Sequence, residues 1–112
     1  TALRETLEEV GVQPSSVEII RELTDVYIPP SNFLATPFLG TICKKPDFIL
    51  NHEVEKEIEV LLSDLLNEAS ITAVNMNTSY MNNMEVPCFK LNDHIVWGAT
   101  AMMLSEIKEL LK

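Results

Sequence analysis

Positive charge is scarce in this chain. Eight lysines and arginines stand against seventeen aspartates and glutamates, for a formal net charge of −9. A surface with that balance repels phosphate backbones, so nucleic acid is excluded as a partner unless metal ions intervene. A small phosphorylated substrate is not excluded, because bound cations bridge two sets of negative charge. Cysteine is scarce as well. Cys43 and Cys88 lie far apart and match no metal-ligand spacing. They are expected to be small buried apolar side chains in a reducing cytosol, not a disulfide. Long apolar runs are missing too. No stretch reaches the roughly 18 residues that span a bilayer, and no secretory leader is legible. A cytoplasmic protein with no membrane partner is the expectation.

What remains is an ordinary globular composition. The chain has 112 residues, 46% apolar and 22% charged, enough for one small domain over 1–112. The opening residue is Thr1, which suits a processed or truncated piece.

Hydrophobic patterning predicts a helix to about Val10, ended by Gly11 in the left-handed conformation. Gln13 to Ser16 is a loop. Val17, Ile19 and Leu23 mark a strand, with Ile20 on its other side. Tyr27-Ile28-Pro29-Pro30-Ser31-Asn32 is expected to be an ordered loop without regular structure. Phe33 to Ile42 is expected to be a buried strand, with a bulge or edge at Pro37. Lys44 to Asp47 is a turn. Over 53–69, Ile58, Leu61, Leu62, Leu65 and Leu66 keep helical spacing. Glu57 to Val60 also alternate, as a strand entering a helix near Leu61 would. Ile71 to Tyr80, Glu85 to Leu91 and His94 to Trp97 predict a three-stranded meander with turns at Asn82-Asn83 and Asn92-Asp93. A last helix from about Thr100 to Leu111 would bury Met103, Ile107 and Leu110. Helix, strands and helix make an α+β domain.

The chemistry is concentrated in the first helix. At about 100° per residue, Glu5, Glu8 and Glu9 fall on one side, and Leu3, Leu7 and Val10 fall opposite. Mg²⁺ and Mn²⁺ prefer such hard oxygen ligands. Carboxylates on adjacent turns can hold one or more ions and leave positions for water and phosphate oxygens. An uncoordinated carboxylate could act as base. Arg4 stands one turn before Glu8, so an i, i+4 pair can orient the cluster. A bare E-x-x-E-E is more often a solvated acidic face. The whole string shifts that balance.

Arg4-Glu5-Thr6-x-Glu8-Glu9-x-Gly11-Val12 resembles the C-terminal half of the Nudix box, R-E-U-x-E-E-x-G-U, with Thr6 in place of the usual aliphatic. Thr there is frequent in the coenzyme A pyrophosphatase-like branch. Pro29-Pro30-Ser31-Asn32-Phe33-Leu34-Ala35-Thr36-Pro37 is similar to that branch's loop-and-strand segment. Glu53-Val54, Glu59-Val60 and Leu65-Leu66 are similar to its downstream acidic and apolar segment, and Ile95 to Ala101 to its closing motif. The resemblance implies an α/β/α sandwich with a mixed sheet, here N-terminally truncated. The Gly and acid that open the box would precede Thr1. It implies metal-dependent hydrolysis of a nucleoside diphosphate linked to another moiety, with coenzyme A or a related compound as substrate. Glu5, Glu8 and Glu9 are the implied Mg²⁺ or Mn²⁺ ligands, and Arg4, Glu5 and Glu8 the implied catalytic residues. Lys56 and Leu61 depart from the family, which often has Glu and usually Pro there. Strand then helix over 53–69 is favoured by this analogy.

Other features are expected to be structural. His52 and His94 are lone histidines. Met76, Met81, Met84, Met102 and Met103 suit packing. Trp97 suits a strand-to-helix anchor, and Ser31 and Asn32 suit loop capping as well as substrate contact. The alternative to an enzyme is a catalytically incomplete relative that binds a nucleotide or a protein. A partly built sheet should expose apolar edges, so self-association into a homo-oligomer is expected.

Overall fold

The computed structural model describes residues 1–29, 31–78 and 81–112. In chain order the elements are α1 (Ala2–Val10), β1 (Val17–Glu22), β2 (Val26–Ile28), β3 (Phe33–Ala35), β4 (Phe38–Ile42), α2 (Leu62–Leu66), β5 (Ile71–Met76), β6 (Met84–Leu91), β7 (His94–Val96) and α3 (Gly98–Leu110). Single 3-10 turns cover Pro14–Ser16 and Glu68–Ser70. The α+β class stands. The expected mixed sheet does not: among the described residues every strand pairing is antiparallel. The chain interleaves two compact units, Thr1–Leu23 with Pro37–Glu59, and Thr24–Thr36 with Val60–Lys112.

In the first unit β1 pairs antiparallel with β4, from Val17 opposite Ile42 to Glu22 opposite Phe38. The register shifts between Ile19 and Arg21, so Ile20 is the extra residue of a bulge. The Leu23 N–H reaches the Pro37 carbonyl at 2.8 Å and prolongs the ladder. Pro37 itself lies between the two strands, after Ala35 and before Phe38. It splits the expected Phe33–Ile42 strand into β3 and β4, because it has no N–H to give to a ladder. The expected burial fails too: Phe33 is 70% exposed and Leu34 66%. Cys43 is exposed, against expectation, and lies just past the end of β4.

The run from 53 to 61 forms neither the expected helix nor the expected strand. In a helix, Glu53 would stack on Glu57 and Glu55 on Glu59, and each like-charge i, i+4 pair costs about 0.2–0.5 kcal/mol. Glu59 instead pairs with Lys45 at 3.1 Å. Only Leu62–Leu66 is helical, begun at Leu61 without a side-chain cap. Of the five apolar residues in helical spacing, Leu65 alone is buried; Leu61 is 69% exposed.

The second unit holds a short hairpin and the meander. Tyr27 and Ile28, expected to lie in a loop, are strand residues: they pair with Leu34 and Phe33. The loop is shorter than expected because Ser31 Oγ donates to the Ile28 carbonyl (2.7 Å) and Tyr27 Oη donates to Asn32 Oδ1 (2.6 Å). Asn32 turns the chain at φ 65°. These bonds give Ser31 and Asn32 their capping role.

The meander follows expectation, with β6 between β5 and β7. The first strand stops at Met76, short of the expected Tyr80: Asn77 and Thr78 lie past its end, and Ser79 and Tyr80 lie outside the described residues. Asn83, Asn92 and Asp93 take positive φ in the two turns, which Asn and Asp tolerate better than other side chains. Pro87 is accommodated because β7 pairs with Phe89–Leu91, and among the described residues no strand pairs with that flank of β6 at Pro87. Leu65, Phe89 and Leu91 form the buried centre, with Val60, Val96, Ala101, Leu104 and Ile107 packed on it. The buried face of α3 keeps the expected Ile107 and departs from expectation at Leu110. Ala101 and Leu104 join Ile107 against the centre, Met103 is half-buried as they are, and Leu110 is 37% exposed.

Lys108 is buried on that helix at 3% exposure, with its stem in the core. Its Nζ makes no hydrogen bond among the described residues. It lies 3.4 Å from Glu68 Oε1 and 5.9 Å from the Phe89 ring centre. Glu68 is mostly in water, so compensation for the buried ammonium is partial. Lys108→Met should therefore stabilise the protein by about 1 kcal/mol or more. Urea unfolding checks this, and a lower midpoint for the variant would contradict it.

Candidate functional site

The acidic face of α1 is set by the opposite face. Leu3, Leu7 and Val10 are half-buried, not fully packed as expected, and no residue of α1 is buried. Leu3 and Thr6 line a cleft of about 290 Å³ with Val17, Ile19, Phe38 and Gly40. The Thr6 hydroxyl donates to the Ala2 carbonyl at 2.8 Å. A polar residue at this half-buried position is thus satisfied within its own helix.

The stronger anchor is the C-terminal end. Gly11 sits at φ 75° and its N–H donates to the Leu7 carbonyl. The Ile49 N–H donates to the Val10 carbonyl and the Asn51 N–H to the Glu9 carbonyl, both at 2.9 Å. Two carbonyls left over by the helix are thereby paired with a segment 40 or so residues downstream. That crossing is close. A Cβ on Gly11 would lie 2.8 Å from the Ile49 Cβ, so no other residue fits there without displacement. Nothing local in the sequence marks Ile49 and Asn51; Gly11 is the one trace of their approach.

Glu5, Glu8 and Glu9 then project from a held backbone. Glu5 and Glu8 are exposed and Glu9 is half-buried. Arg4 Nη1 lies 3.9 Å from Glu8 Oε1, the i, i+4 pairing expected. Exposed on both sides, it contributes only a few tenths of a kcal/mol. Glu8 and Glu9 occupy the last turn, which has no basic residue. There they meet the negative end of the helix dipole. A cation beside them would offset both repulsions.

The donor set suits a hard divalent ion in chemistry: three carboxylates and no sulfur or imidazole. Among the described residues no three His, Cys, Asp or Glu side chains converge as placed, and Glu8 is turned toward Arg4. Surface glutamates change rotamer readily. His52 and His94 are exposed, and His52 lies 3.9 Å from Glu53. Trp97 precedes α3 as a half-buried residue.

No family model matches the chain. Individual relatives do. Over 127 aligned residues it is 30% identical to Nudix hydrolase 3 of Caenorhabditis elegans, covering 99% of the chain and 53% of that protein. It is 28% identical over 112 residues to the uncharacterized Nudix hydrolase NudL of Photorhabdus laumondii subsp. laumondii, covering 97% of the chain and 58% of that protein. The chain belongs to the Nudix hydrolase family. It spans a little over half the length of these two Nudix relatives. Within the Nudix family, α1 is the helix that carries the resemblance to the box. No helix is long and apolar enough to cross a membrane among the described residues.

Proposed function

We propose that the chain forms a single, partial Nudix domain over 1–112 and takes part in metal-dependent hydrolysis of a pyrophosphate. The substrate is a nucleoside diphosphate linked to another moiety, with coenzyme A or a related compound first among candidates. The observation that carries this reading is the one-sided placement of Glu5, Glu8 and Glu9 on a helix whose end is pinned by Ile49 and Asn51. Those three glutamates would hold Mg²⁺ or Mn²⁺. When bound, the ion supplies charge neutralisation at the phosphoryl oxygens and acidifies water. Arg4 restrains Glu8 and keeps the carboxylates from splaying. A glutamate not engaged by metal takes the proton of the attacking water. The cytosol is the compartment this chemistry suits.

Hydrolysis of coenzyme A, ADP-ribose and NADH with Mg²⁺ or Mn²⁺ tests the proposal. Turnover of one of them, dependent on added metal, is expected. Turnover of none would overturn the enzymatic reading for this chain. The second reading, a catalytically incomplete module that binds a nucleotide or a protein, is favoured by the lack of converged carboxylates among the described residues.

Self-association belongs to the same proposal. Ile19, Ile20, Phe38 and Ile42 on the β1–β4 pair are exposed by 38–53%, and such ladders attract further strands. Sedimentation velocity should show a dimer or larger species. A single monomer boundary across the micromolar range would contradict this.

A further inference from the structure

We draw no further inference here: the strongest candidate, the two adjoining apolar clefts at the start of α3 that share Val86, Gly98 and Met102, carries nothing because nothing in the structure shows what covers them.

Discussion

Glu8→Gln should lower metal-dependent turnover by roughly 10²–10⁴-fold, the range spanned by loss of a positioned acid or base. The substitution keeps the size of the side chain and removes one negative charge. Its effect on folding should be small, because Glu8 is exposed and its ion pair with Arg4 is a surface contact at 3.9 Å. Arg4→Ala should cost much less than Glu8→Gln, since Arg4 acts through Glu8. The decisive comparison is steady-state kinetics on the best substrate, alongside urea unfolding of each variant. Equal turnover by Glu8→Gln and the parent chain would remove Glu8 from the chemistry.

Gly11→Ala should strongly destabilise the first unit. Two costs combine. A non-glycine residue held at φ 75° loses roughly 1–2 kcal/mol. The added methyl meets the Ile49 side chain and backbone at 2.8–3.2 Å, and overpacking of that kind costs about 1–3 kcal/mol. Together about 2–5 kcal/mol is expected, a large fraction of the stability of a small domain. If the chain relieves the clash by moving, the bonds from Ile49 and Asn51 to α1 weaken, and the glutamates lose their anchor. Denaturant unfolding reads the first effect. Hydrogen exchange at the Ile49 and Asn51 amides reads the second. An unchanged midpoint with unchanged protection would contradict the proposed role of Gly11.

Legibility followed the range of the interaction. The helix α1 was visible because Leu3, Leu7 and Val10 repeat at helical spacing and Gly11 stops them; both are local facts. The meander was visible because paired Asn and Asp residues mark its turns, and their positive φ is a property of the residues themselves. The β2–β3 hairpin was hidden by Pro29-Pro30. A three-residue strand next to two prolines carries no periodicity to recognise, and its existence depends on a partner across the turn.

The run over 53–61 failed for the opposite reason. Its apolar spacing was helical, but the carboxylates at 53, 55, 57 and 59 oppose a helix there, and apolar periodicity ignores charge. On α3 the apolar pattern admits more than one face. Tertiary packing chose Ala101 and Leu104, and buried Lys108 among them. Cys43 and Cys88 show the same limit: identical in kind, one exposed and one buried, because burial belongs to the packing and not to the thiol. At the candidate site, the face carrying Glu5, Glu8 and Glu9 was legible, whereas the anchoring of Glu9 and Val10 by Asn51 and Ile49 was not. That contact bridges segments separated by the strands β1 to β4 and leaves only a glycine as its trace.

Manganese binding tests the account most directly, because it needs neither a substrate nor turnover. The chain is titrated with Mn²⁺ and free ion is followed by electron paramagnetic resonance, in parallel with a variant carrying Glu5→Gln, Glu8→Gln and Glu9→Gln. Saturable binding by the parent and its loss in the folded triple variant is the expected result. Equal Mn²⁺ uptake by the two proteins, or none by either, would contradict the claim that these three glutamates form the metal site.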